Sequence, residues 1–201
     1  MNAKFLNPDM DVQAWADRWE GESREVFRER LAIVEALAIE PGMRVADVGA
    51  GTGLFTGLFA RSVGEEGHVY AVDISPGFIT HIRDKADSLG LENVTAVLSR
   101  FTSATLAPAS VDLVFLCDTY HHFDDHAAML ASIHSALDTG GRLAVIDFKR
   151  IEGESREWIM EHTRAGQETF VSEIEAAGFA FTGEVAMPGF EENYFVQFEK
   201  R

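Results

Sequence analysis

A single cysteine, Cys117, stands in a chain of 201 residues. No disulfide can close within it, which excludes the cross-linked secreted scaffolds and leaves a reducing setting as the simplest expectation. Cys117 lies in the apolar run Val114-Phe115-Leu116-Cys117, where a packed core thiol is expected ahead of a nucleophile. Basic residues are scarce: 17 against 33 acidic ones, for a net charge of −16. A surface of that sign repels phosphate backbones and anionic lipid, so neither nucleic acid nor a membrane is expected as partner. No stretch approaches the roughly 20 apolar residues of a membrane span. The opening MNAKFLNPDMD lacks the basic-then-apolar layout of a secretory leader, and a cytoplasmic location is the expectation that follows. The five prolines are scattered and mark no linker, so one domain with a sizeable core is expected.

What is present is a regular alternation. Residues 9–39 carry two helical stripes, Val12-Trp15-Ala16-Trp19 and Phe27-Leu31-Val34-Ala38, interrupted at Gly21 and ended by Pro41-Gly42. Strands are then predicted at 44–48, 69–73, 94–98, 111–117 and 142–148, with helices at 53–63, 76–89 and 125–137 between them. Runs such as VADV, VYAV, VDLVFLC and RLAVIDF are apolar on both faces, as in a covered parallel sheet. This pattern predicts an α/β, doubly wound, mostly parallel seven-stranded sheet. Two further helices, near 155–165 and 167–177, precede strands at 180–187 and 194–199. The turn Pro188-Gly189 between them is too short for a parallel crossover, so the last strand is expected to be reversed.

The stretch VADVGAGTG, residues 45–53, ends a strand in three alternate glycines. A strand that turns through glycines into a helix gathers backbone N–H groups and a positive helix end at one spot. In an open α/β sheet that spot lies at the carboxyl ends of the strands, where ligands bind. The spacing is G-x-G-x-G, whereas the dinucleotide pattern needs G-x-G-x-x-G and finds Leu54 at its last position, which disfavours a nicotinamide cofactor. Asp73 ends the next predicted strand in VYAVDIS, where an acid can accept both hydroxyls of a ribose, with Ile74 against the base. A turn or cap role before Pro76 is the plain alternative.

The pentapeptide GESRE occurs at 21–25 and again at 153–157. Five residues are too few for a repeat. Both copies precede a predicted helix, so Ser23 and Ser155 are expected as N-caps. The alternative is that both segments line one mouth and bring Arg24 and Arg156 to a substrate.

In sum these motifs, in this order, resemble the class I S-adenosylmethionine-dependent methyltransferases over residues 41–199. VADVGAGTG is similar to their first motif and VYAVDIS to their second. FLCDTYHHF resembles the segment after their fourth strand, LDTGGRLAVIDF their turn into the fifth, and EAAGF with the hairpin their closing reversed strand. The resemblance implies a Rossmann-like methyltransferase domain at 41–201, with residues 1–40 as a helical segment covering the site. It implies S-adenosylmethionine as cofactor. Asp47 and the backbone of Gly49, Ala50, Gly51, Thr52 and Gly53 would take its amino-acid part, Asp73 and Ile74 the adenosine, and Asp118 the methionine end. Many relatives bond the adenine with an acid after the third strand, where this chain has Arg100. Thr102, a backbone carbonyl or stacking on Phe101 would serve instead.

Methyl transfer from a sulfonium is an in-line displacement, so holding the reactants in line supplies most of the acceleration. A base is needed only if the acceptor must lose a proton. His121 and His122 could provide it near neutral pH, beside Asp118; the plain alternative is that the pair caps the next helix and packs beneath the donor. Metal binding by His121, His122, His126, Asp124 and Asp125 is not expected, because adjacent residues seldom aim at one ion. Trp15, Arg18 and Trp19, or Trp158, Met160 and His162, are candidate covers, although Trp15 and Trp19 also suit simple packing. The expected function is methyl transfer to a small-molecule acceptor, an amine, thiol or phenol. The alternative is a donor-binding sensor or partner protein without transferase activity.

Overall fold

The computed structural model describes residues 2–201. The strands are β1 (Arg44–Val48), β2 (His68–Asp73), β3 (Val94–Leu98), β4 (Val111–Cys117), β5 (Leu137–Phe148), β6 (Phe179–Glu184) and β7 (Asn193–Lys200). They form one sheet in the order β3-β2-β1-β4-β5-β7-β6. β1 to β5 pair in parallel, and β7 runs antiparallel between β5 and β6. The predicted sheet, with its single reversed strand, is what forms.

The helices are α1 (Val12–Trp19), α2 (Glu25–Arg28), α3 (Arg30–Ala36), α4 (Thr56–Val63), α5 (Pro76–Leu89), α6 (His126–Ala136), α7 (Glu157–His162) and α8 (Gln167–Ala176). Side chains alternate across each strand, so each apolar strand feeds two cores. One joins Val114, Leu116 and Val145 to Leu130 and Ile133 of α6 and Phe170 of α8. The other joins Val45, Phe115 and Ile146 to Ile33 of α3 and to Phe59 and Val63 of α4. Each fully buried Val, Leu, Ile or Phe contributes about 1.5–3 kcal/mol. No helix among the described residues is long and apolar enough to cross a membrane.

Several boundaries differ from the sequence reading. The buried stripe of α2 and α3 is Val26, Ile33 and Leu37, while Leu31 is 65% exposed. Both stripes satisfy a helical period, and the break at Glu29 turns the second set inward. The helix expected from 53 begins at Thr56. β5 starts at Leu137 because that residue keeps pairing with Val111 across the Gly140-Gly141 step. β6 ends at Glu184, after a register shift between Phe181 and Gly183. The expected serine caps do not form: Arg24 and Arg156 occupy those positions, without a side-chain cap. Ser155 Oγ instead donates to the Lys149 carbonyl at 2.6 Å and accepts from the Ile151 N–H at 2.9 Å.

Candidate active site

The carboxyl ends of β1, β2, β4 and β5, roofed by the N-terminal segment, enclose a cavity of about 600 Å³. That lies inside the range of about 300–1,000 Å³ usual for small-molecule sites. One end is built from the glycine turn and Asp73, the other from histidines and aromatic rings.

At the first end, Gly49 and Gly51 have φ of +77° and +55°, a region that side chains rarely adopt. A Cβ at Gly49 would lie 2.3 Å from the Thr119 methyl, and one at Gly51 would lie 3.1 Å from the Trp19 ring. The N–H groups of Gly49 and Ala50 donate to the Val72 carbonyl, at 2.7 and 3.1 Å. Asp73 accepts from the Gly51 N–H at 2.9 Å and from the Ser75 N–H at 2.8 Å. Asp47 accepts from Thr56 Oγ1 at 2.8 Å. Both carboxyls are almost fully buried. Burial pushes the Asp47 carboxyl up to about 7, with Asp73 adding to the rise, and the Asp73 carboxyl up to about 6.

Asp118, just past β4, has φ of +49°, a strained value for a residue other than glycine. It pairs with Arg24 and accepts from Asn193 Nδ2 at 2.7 Å. Burial pushes its carboxyl up to about 6, against the pull of Arg24. Neighbouring Glu25 accepts from the backbone N–H groups of Glu191, Glu192 and Asn193 at 2.9–3.1 Å. Arg156, from the second GESRE copy, pairs with Glu192. The two pentapeptides therefore grip one loop and line one cavity, and both arginines are engaged by the chain's own carboxylates.

The histidine end lies in the turn Tyr120–His122, between β4 and α6. His121 Nδ1 is 2.7 Å from Asp147 Oδ1, and its backbone N–H donates to Asp147 Oδ2 at 3.1 Å. Asp147, at the end of β5, is 0% exposed. A proton on Nδ1 makes this a donated bond and leaves Nε2 bare. That Nε2 is buried without a partner among the described residues, as is His122 Nδ1. Burial alone would lower the His121 pKa, but the charge and hydrogen bond of Asp147 raise it overall. Burial pushes His122 down to about 2 and His162 down to about 4, with the positive charge of His121 adding to both.

The roof is a 3-10 turn, Asn2–Leu6, followed by α1. Asn2 Nδ2 donates to the His122 carbonyl at 3.0 Å. Phe5 lies 5.3–6.0 Å from the rings of Trp15, Trp19, Phe78 and His122. Lys85 Nζ reaches both Glu20 Oε1 and the Thr52 carbonyl, at 3.0 and 3.1 Å, and ties the roof to the glycine turn. Trp15 and Trp19 thus pack and line the cavity at once. On the far side Trp158 lies 5.0 Å from Phe148, and His162 lies 4.8 Å from His121.

Asp47, Gly49, Ala50, Gly51, Thr52, Asp73, Ile74, Asp118, His121 and His122 all line the cavity. Gly53 and Thr102 do not. Gly53 faces a small pocket beside α5 instead. Thr102 is exposed, while its neighbours Arg100 and Phe101 line the cavity, so of the two side chains considered for the adenine only Phe101 is at the site. Asp125 caps α6 through the Ala128 N–H, and His126 leans towards Glu173 at 3.7 Å, so neither joins the paired histidines. Cys117 is a protonated thiol, held well above its usual pKa by burial. Sequence reasoning missed Asp147, Glu25 and Asn193. Asp147 had a signal: it is the only acid in the apolar run LAVIDF, as Asp47 is in VADV. Glu25 and Asn193 carried none.

Comparison with known proteins places the chain among relatives. Residues 39–193 match a family described as "Methyltransferase domain". A ubiquinone/menaquinone biosynthesis C-methyltransferase, UbiE, of Vibrio vulnificus is 32% identical over 118 residues, 58% of this chain and 45% of that protein. The match therefore spans less than half the length of the curated relatives. A SAM-dependent methyltransferase from Aquifex aeolicus superposes with a TM-score of 0.83 at 24% identity, covering 95% of this chain and 99% of that one. Phosphoethanolamine N-methyltransferase 2 of Haemonchus contortus, solved with S-adenosyl-L-methionine, superposes with a TM-score of 0.74 at 16% identity, covering 96% and 60%. At these identities the structural likenesses speak for the fold.

Proposed function

The chain belongs to the methyltransferase domain family, whose cofactor is S-adenosylmethionine, and from that premise we propose that it methylates a small phenol-type acceptor. The residues at the glycine end fit such a cofactor. The turn is kept bare at Gly49 and Gly51, where a Cβ would strike Thr119 or press on Trp19. Asp73 offers a nearly buried carboxylate at the cavity wall, suited to vicinal hydroxyls. Ile74 and Phe101 supply apolar surface for a base, and Asp47, Thr52 and Asp118 supply polar groups for an amino-acid tail. When bound, S-adenosylmethionine supplies an electrophilic methyl on a sulfonium. The chain's own work is then to orient, to exclude water and to manage a proton.

The observation that carries the acceptor class is the His121–Asp147 pair. Asp147 holds the imidazole by Nδ1, which leaves Nε2 as the group able to take a proton from an acceptor. A phenol needs that step, because its oxygen, or the ring carbon that its oxygen activates, attacks well only as the phenolate. The walls suit a ring: Phe5, Trp15, Phe148 and Trp158 all face the cavity. The relative named as a C-methyltransferase supports methylation at a ring carbon as readily as at oxygen.

Incubating the protein with methyl-labelled S-adenosylmethionine and a panel of phenols, thiols and amines tests this. Label is expected in phenols, with one S-adenosylhomocysteine released for each methyl transferred. Label in thiols or amines only would overturn the acceptor class. Tight S-adenosylhomocysteine binding with no transfer to any acceptor, or to cell extract, would favour the donor-binding alternative.

A further inference from the structure

Proton removal by one histidine leaves two other imidazoles without a reason. One ring nitrogen from each of His121, His122 and His162 lies within 4.8 Å of those of both others. Buried polar nitrogens ordinarily have partners, and leaving one bare costs about 1–3 kcal/mol. Here His121 Nε2 and His122 Nδ1 are both buried and unpartnered among the described residues, in rings only 4.2 Å apart. His121 itself is 3% exposed. Bare nitrogens in neighbouring rings call for a shared ligand that accepts lone pairs.

We propose that His121, His122 and His162 bind one divalent first-row transition ion, zinc by preference, at the acceptor end of the cavity. Three imidazoles, neutral once ligated, with a fourth position open form a donor set that zinc uses in catalytic sites. The tautomer is already set: Asp147 accepts a hydrogen bond from the Nδ1–H of His121 and acts as the carboxylate behind a metal-binding histidine. It also places a fully buried anion beside the ion's charge. A tetrahedral zinc site needs ligand nitrogens about 3.3 Å apart. His162 is half-buried on the six-residue α7, and its nitrogen and those of His121 and His122, now within 4.8 Å of one another, must draw together as the ion binds.

The role of the ion rests on the phenol reading, whereas its binding does not. The acceptor hydroxyl oxygen would displace a metal-bound water and form a bond to zinc, and its proton would leave to solvent. The phenolate electron pair then attacks the methyl carbon as the carbon–sulfur bond breaks towards sulfur. In the loaded protein His121 is a ligand, and the ion takes over the acidification of the acceptor.

The test uses the metal alone. Chelator-stripped full-length protein is titrated with Co²⁺, followed by its ligand-field absorption, and then with competing Zn²⁺. One Co²⁺ per chain, with the intense band of a four- or five-coordinate site displaced by Zn²⁺, is expected. His162→Gln and Asp147→Asn should each weaken zinc at least about tenfold, with circular dichroism showing both folded. Absence of the band, or affinity and stoichiometry unchanged in His162→Gln, would overturn the site. Calorimetry with S-adenosylhomocysteine on the same samples separates the two readings. Normal donor-product binding without metal binding removes only this inference, whereas loss of donor-product binding removes the reading beneath it.

Discussion

The backbone N–H of Gly51 donates directly to the carboxylate of Asp73 at 2.9 Å, so the glycine turn after β1 and the acid ending β2 are one unit. The two lie 22 positions apart in the chain and meet because β1 and β2 pair in parallel, Val48 beside Val72. A change at Asp73 therefore acts twice, on any bound ribose and on the shape of the turn.

Asp73→Ala should weaken S-adenosylhomocysteine by about 10- to 100-fold, since hydrogen bonds to a charged group are worth about 1.5–3 kcal/mol. Calorimetry of donor-product binding measures this. Affinity within a factor of two of the original would remove Asp73 from the donor site.

Asp47 makes stability fall with rising pH. Its folded pKa, about 7, lies above the ordinary carboxylate value near 3.9, because burial penalises the ionised form. Between those values the folded chain holds more protons than the unfolded one, so each step upward in pH costs stability. Asp47→Asn removes that loss. Relative to the parent, the variant should gain urea resistance steadily from pH 4.5 to 7.5 and level off above. A gain independent of pH would show that Asp47 is ionised throughout.

Gly49→Ala should destabilise the fold by about 2–4 kcal/mol, the sum of a left-handed backbone and an overpacked contact. The new Cβ would sit 2.3 Å from the Thr119 methyl and 2.8 Å from the Thr119 Cβ, so turning that side chain gives no relief. For a chain of this size the melting point should drop by about 5–15 °C. A melt within 2 °C of the parent (about 1 kcal/mol or less) would contradict this packing.

Asp147→Asn should lower kcat by about 10²-fold or more while leaving S-adenosylhomocysteine affinity within twofold. The amide keeps one acceptor oxygen: held on the His121 backbone N–H, it turns its NH2 towards Nδ1 and no longer fixes the Nδ1–H tautomer of His121, and the bond from the Phe148 N–H is lost. Equal losses in kcat and donor affinity would mean that Asp147 is purely structural.

The two parts of the roof should separate in kinetics. Asn2 and Phe5 touch His122, so trimming residues 1–6 should raise KM for the acceptor several-fold and spare the donor. Trp19 lies over Gly51, so Trp19→Ala should weaken the donor instead. Identical profiles for the two variants would show that the roof closes as one piece.

The sheet was legible because each strand is a short apolar run bounded by turns, and strand pairing needs little more than that. The glycine turn, Asp47 and Asp73 were legible because backbone angles and buried acids leave marks within a few residues. Helix faces were less so: docking on Phe115 and Ile146 buries Val26, Ile33 and Leu37, leaves Val34 half-buried against the same core and turns Leu31 to solvent, although all fit a helical period. Serine caps at Ser23 and Ser155 were reasonable by composition, yet contacts with a distant loop set those segments.

What the chain determined on its own is what local sterics and burial periodicity can encode: seven strands, one reversed, and a bare turn beside an acid at the strand ends. What the tertiary structure alone decided is which side chains face one another across that edge. His121 meets Asp147 across 26 residues and gathers His162 from α7, while Glu25 holds amides more than 160 residues away. Such partners are chosen by strand order and packing geometry, and no spacing along the chain records them.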